Sequence, residues 1–213
     1  MAPNLKEYDA ACADYFRRWA TFNDVLYAMC RKYPDHIEPG HINAKFGIIG
    51  RSFATGLERK MKSRGGQGST LAVVGEYVFK HRRDVQEVFE GLAGIKEPLT
   101  EERLATIIAA HGCLNRLLRG MTRGRQSLRS FVAKYMHFHC PAVPIYDTFA
   151  EKALRREVRW HDDLMVFGSI PRADPQYHWF CARFWHLYQE LRRRRKKATV
   201  RLADVYLLWM GDM

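Results

Sequence analysis

Asp147 ends the longest acid-free stretch of the chain, and that position gives it chemistry to perform. From Arg103 to Tyr146 there is no Asp or Glu, while seven basic residues occur: Arg103, Arg116, Arg119, Arg123, Arg125, Arg129 and Lys134. The turn Pro141-Ala-Val-Pro-Ile-Tyr-Asp147 then supplies a single carboxylate. A run of this kind is a polyanion-binding surface. A carboxylate beside phosphates is repelled by several kcal/mol where water is partly excluded, so its placement points to a catalytic acid in a nucleic-acid site. The competing account is a helix cap, since Asp is a favoured N-cap. Thr148-Phe-Ala-Glu151 is itself a capping box that satisfies the helix start without Asp147. Cap and catalyst stand side by side at this stage.

Lys134 offers a second reactive group. On a helix Ser130, Lys134 and His137 share one polar stripe opposite Phe131, Tyr135 and Phe138. A desolvated lysine serves as a Schiff-base nucleophile; the preferred alternative is that Lys134 pairs with Asp147 or with a phosphate. His137 and His139 splay apart on a helix, so no metal site is expected there. His161-Asp162-Asp163, with His137 or His139 upstream and Asp174 downstream, is the nearest approach to an all-α metal phosphohydrolase, at poor spacing. The five cysteines are widely spread with no C-x-x-C pair, which argues against zinc ribbons and cysteine-ligated clusters and for reduced thiols.

The segment from Leu117 to His139 reads as helix, tight turn, helix. Gly120 and Gly124 permit the turn, Thr122 is placed to cap, and the second helix opens among Arg123, Arg125 and Arg129. Thr122, Arg123, Gly124, Arg125, Gln126, Ser127 and Arg129 are therefore the candidate DNA-binding residues, because a helix N-terminus flanked by arginines suits a phosphate. An ordinary helical hairpin with a solvated basic face is the plain alternative. The loop Ser63 to Thr70 contains Gly65-Gly66-Gln-Gly68 but no Gly-Lys-Ser/Thr, so it is not a P-loop; Lys60, Lys62 and Arg64 there suit a DNA backbone.

These groups need a scaffold, and the pattern supplies helices. Apolar residues recur at helical spacing in nine segments: Leu5 to Trp19, Asp24 to Tyr33, Ile42 to Met61, Leu71 to Leu92, Arg103 to Leu118, Gln126 to His139, Phe149 to Trp160, Gln176 to Arg195 and Val200 to Met210. The expected fold class is all-α, one domain over residues 1–213 with two helical lobes around a cleft. With 213 residues and 47% apolar content the chain can bury a sizeable core. A net charge of +12 favours nucleic acid as partner, which the run Arg192-Arg-Arg-Arg-Lys-Lys197 reinforces. No apolar run is long enough to span a bilayer, and no secretory signal is visible, so a cytoplasmic monomer without cofactor or membrane partner is expected.

A hairpin between two helices, followed by Ala142-Val-Pro-Ile-Tyr-Asp147 turning into another helix, resembles the helix-hairpin-helix DNA glycosylase superfamily. Within it, the small basic form and Ser130-Phe-Val-Ala-Lys-Tyr-Met-His-Phe-His139 look similar to bacterial antiphage glycosylases that attack glucosylated hydroxymethylcytosine. The resemblance implies that the hairpin holds a phosphate and that Asp147 stabilises positive charge on the deoxyribose as the flipped base leaves. Lys134 joins Asp147 as a candidate catalytic group, and Ser130, His137 and Tyr146 are the expected base pocket. Two departures stand out. Arg119-Gly-Met-Thr-Arg-Gly-Arg-Gln126 replaces the usual Leu-Pro-Gly-Val-Gly hairpin, and Leu128 stands near the place of the lysine nucleophile of bifunctional members. Monofunctional removal of the base by water is the expected chemistry. A nucleic-acid-binding regulator without catalysis is the chief rival.

Overall fold

The computed structural model describes residues 3–61, 70–158 and 167–211. Among the described residues eleven α-helices follow one another: α1 (Leu5–Arg18), α2 (Ala20–Lys32), α3 (Pro39–Ser52), α4 (Leu57–Lys60), α5 (Thr70–Lys80), α6 (Arg82–Leu92), α7 (Glu101–Leu118), α8 (Arg129–His139), α9 (Thr148–Glu157), α10 (Pro175–Arg194) and α11 (Val200–Gly211). Among the described residues there is no strand, only an isolated antiparallel bridge between Met61 and Thr122. The expected all-α class holds.

Two of the nine expected helices are each divided in two. The segment Ile42 to Met61 breaks after Ser52, where Ala54 (φ 46°) and Gly56 (φ 66°) turn the chain before α4. Leu71 to Leu92 breaks at His81, whose ψ of 22° leaves the helical range. At Gly47 on α3 and Gly75 on α5 a Cβ would come within 2.8 Å of Leu71 and 2.4 Å of Asn43, so these two helices approach through glycines.

One connected apolar core takes residues from every helix. At its centre lies α8, with all eight residues from Phe131 to Phe138 buried. Such a helix cannot present a solvated stripe; its polar side chains must find partners inside the protein. Among the described residues no helix is long and apolar enough to cross a membrane.

Candidate active site

Lys134 has two partners. Its ammonium donates to Asp147 Oδ2 at 2.7 Å and to Ser130 Oγ at 3.1 Å, and it sits 5.7 Å from the centre of the Phe53 ring. Lys134 has 5% of its side chain exposed and Asp147 20%, so the acid is the more open member of the pair. The pairing expected from the sequence is the one found. Ser130, one helical turn before Lys134, lies on the face expected to carry both and accepts from its ammonium.

Asp147 is also the N-cap of α9, its Oδ1 accepting from the Phe149 backbone N–H at 3.0 Å. Thr148 is the first residue of that helix, and the expected capping box does not form. Glu151 instead accepts from the Tyr146 hydroxyl at 2.6 Å and from Arg155. Both carboxylate oxygens of Asp147 are thus fixed, one by a cation and one by a helix N–H, in an orientation set before any ligand arrives.

Beside this pair opens a cavity of about 530 Å³. Its walls come from α1, α2, α3, α9 and α11 and carry six aromatic rings: Tyr15, Trp19, Phe22, Phe53, Phe149 and Trp209. Phe53 and Phe149 join the cavity to the charged pair, the first under the Lys134 ammonium, the second through its N–H to Asp147. Trp19, Phe149 and Trp209 remain exposed at 56%, 54% and 36%, which is uncommon for large apolar side chains unless something covers them.

A second carboxylate, Asp204, lies behind the same wall with no exposure at all. Arg201, which lines the cavity, donates to its Oδ2 at 2.7 Å. Burial pushes the Asp204 carboxyl up to about 7; Arg201 and Lys134 oppose that rise, and Asp147 adds to it. Lys134, Asp147, Arg201 and Asp204 are therefore one electrostatic cluster, of which Arg201 lines the aromatic cavity. Asp204 and Arg201 carry no motif, sitting at ordinary helical spacing in α11.

None of Ser130, His137 and Tyr146, the expected base pocket, lines this cavity. His137 is fully buried, its Nδ1 bonded to the Val143 carbonyl and its Nε2 to the Tyr27 hydroxyl, and burial holds its pKa down at about 3. It is a neutral core residue that ties α8 to α2. Tyr146 packs edge-on against Phe180 and under the Arg129 guanidinium, and neither it nor His137 borders the cavity. The ring-bearing Phe180 and Trp185 are likewise core, while Trp160 and His161-Asp162-Asp163 lie outside the described residues. No group of three or more His, Cys, Asp or Glu placed to hold a metal occurs among the described residues. All five cysteines are free.

The hairpin is built as expected in outline but not in its contacts. Arg119 to Met121 and Arg123 to Arg125 form two short 3-10 turns, with Gly124 at φ 60°, and α8 begins only at Arg129. Thr122 is buried and caps no helix; its hydroxyl bridges the carbonyls of Arg119 and Gln126. Asn115 accepts from the Leu128 N–H and donates to Ser127 Oγ, closing the turn onto α7. Arg129 is taken up by Asp174, with Nη2 to Oδ2 at 2.9 Å and the pair nearly buried, so its guanidinium serves the hairpin's own structure. Arg123 uses Nε on the Met61 carbonyl at 2.8 Å, while Arg123, Gly124, Arg125 and Gln126 are exposed. The surface left for a phosphate is this exposed tip. Asp174, bound by Arg129, Asn115 and the Tyr177 N–H, is committed to structure as well.

No family model, no curated protein and no solved structure matches the chain.

Proposed function

We propose that this protein is a DNA glycosylase of the helix-hairpin-helix kind that removes a flipped, modified cytosine, with glucosylated hydroxymethylcytosine in phage DNA as the substrate class, by a monofunctional hydrolysis that leaves an abasic site. The observation that carries this proposal is a carboxylate, Asp147, locked by Lys134 and by the backbone N–H of Phe149, a residue that lines an aromatic cavity. Such a cavity suits an extruded base, which enzymes of this class stack between aromatic rings. As the bond from base to sugar breaks, positive charge grows on the deoxyribose. A fixed carboxylate in a partly dry site stabilises that charge without reorganising. Lys134 holds the carboxylate in register, and water is the nucleophile. The exposed arginine tip of the hairpin, together with the net charge of +12, supplies phosphate contacts.

The test is incubation with phage DNA carrying glucosylated hydroxymethylcytosine and with unmodified DNA, followed by detection of abasic sites and released base. Release from the modified DNA is expected. Tight binding with no release from either DNA favours a non-catalytic binder instead. Borohydride is expected to leave protein and DNA unlinked, since Lys134 is occupied by Asp147; efficient trapping that vanishes in Lys134→Ala makes Lys134 the nucleophile.

A further inference from the structure

Trp19 is a large ring held out into solvent by a rigid corner. It is the one residue between α1 and α2; its N–H donates to the Tyr15 carbonyl at 2.8 Å, and its own carbonyl accepts from the Asn23 N–H at 3.1 Å and from Asn23 Nδ2 at 2.9 Å. Asn23 is buried, so a side chain inside the protein fixes the backbone of a residue whose ring stays outside. The indole meets Phe22 edge-on with ring centroids 6.4 Å apart, and Phe22 meets Phe53 in the same way at 6.1 Å. A file of three rings thus runs from solvent to the ring beneath the Lys134 ammonium. Phe149 and Trp209 add exposed rings to the same cavity from α9 and α11. A ring that lines a cavity and also faces solvent stands at its mouth. Beside Trp19, Arg17 and Arg18 share a single carboxylate, Asp14, which leaves the last turn of α1 with an excess of positive charge.

Resting on the glycosylase reading of the same cavity, we propose that the exposed rings at its mouth are a stacking platform for unpaired nucleotides next to the target base, so that the protein takes single-stranded or locally melted DNA in preference to intact duplex. Every base has a π-face, and aromatic rings flanked by arginines bind a single strand with little regard to its sequence. In a duplex the faces of the neighbouring bases are covered by stacking, and an aromatic rim finds nothing to stack on until they are unpaired. A wedge that fills the gap left by a flipped base in a duplex needs one protruding apolar side chain. Here four rings, Trp19, Phe22, Phe149 and Trp209, face solvent around one cavity, which suits several bases in succession better than one gap.

The experiment measures affinity for one unmodified sequence presented as a single strand, as a bubble of unpaired bases within a duplex, and as full duplex, all at one salt concentration. Base release from DNA carrying the glucosylated base is measured beside it. Single strand and bubble should each bind about tenfold or more tighter than duplex, the worth of stacking one base on a ring. Trp19→Ala and Trp209→Ala should each cost about tenfold in single-strand affinity and leave duplex affinity unchanged. Trp19→Phe keeps a ring and should restore most of the loss. Because the preference is a ratio measured on one variant, a general loss of folded protein cancels. Equal affinity for the three forms, or a preference that survives in the double variant Trp19→Ala, Trp209→Ala, overturns the inference. Self-association of the parent that the double variant loses, with no preference among the DNA forms, overturns it too and assigns the rings to a second copy of the chain. Base release without the ring-dependent preference sinks the inference and leaves the glycosylase standing; the preference without base release does the reverse.

Discussion

The hairpin and the aromatic cavity divide the polar chemistry of this protein in opposite ways. In the hairpin nearly every polar group is spent on the turn itself: Thr122 on two carbonyls, Asn115 on Ser127 and Leu128, Arg129 on Asp174. At the cavity, Asn23 and Arg201 keep unpaired atoms inside the wall, and Asp204 keeps an unpaired Oδ1 behind it. A count of arginines therefore overstates what the hairpin offers a phosphate, while the cavity offers a ligand six aromatic rings and few charges.

The largest effect expected to sharpen this contrast is at Asp174. Asp174→Ala leaves the nearly buried Arg129 guanidinium without its counter-charge, and losing one member of such a pair costs about 3 to 5 kcal/mol. Denaturant unfolding should show that loss. A variant as stable as the parent means that Arg129 is free to turn outward, and the hairpin regains it as a phosphate ligand.

Next comes the pH dependence of the cavity end. The Asp204 carboxyl titrates near 7 in the folded protein and near its ordinary value of 3.8 when unfolded, so between these values the folded state binds the extra proton. Its contribution to stability is then greatest at low pH and declines as pH rises from about 4 to about 7. Subtracting the stability of Asp204→Asn from that of the parent at each pH isolates the effect, since the buried histidines are common to both. A difference that stays flat over that range removes Asp204 from the electrostatic cluster.

The smallest effect is at the hairpin tip. Replacing Arg123 and Arg125 by Ala should each lower the log–log salt slope of DNA affinity by about 0.9 if each meets one phosphate of duplex DNA. An unchanged slope in the double variant takes the tip out of the interface and leaves the hairpin a purely structural turn.

The sequence announced the helices well where apolar periodicity runs uninterrupted. Expected and observed bounds of α1, α7, α10 and α11 agree within two residues. It concealed the two breaks because neither carries a proline; the first turns at Ala54 and Gly56, both at positive φ, and the second at His81. Lys134 and Asp147 were legible because they flank one short connection, and the proline turn carries the resemblance. Their joint role as ion pair and cap was half legible, since the apparent capping box shifted the cap to Thr148. Asn23, Arg201 and Asp204 were not legible at all. Asn23 is far from the other two in the chain, and each residue type is ordinary on a helix. Only the tertiary structure leaves their atoms without partners around one cavity.

The central claim, that the carboxylate of Asp147 stabilises the sugar cation as the base departs, is tested most directly by single-turnover base release with Asp147→Asn on DNA carrying the glucosylated base. Asparagine still caps α9, and a thermal melt of the variant run beside the assay establishes that the protein compared is folded. Removing a preorganised charge aimed at the sugar cation should slow release by about 100- to 1,000-fold, roughly 3 to 4 kcal/mol of barrier. Release at close to the parent rate from folded Asp147→Asn contradicts the claim and leaves Asp147 as a helix cap with a lysine beside it.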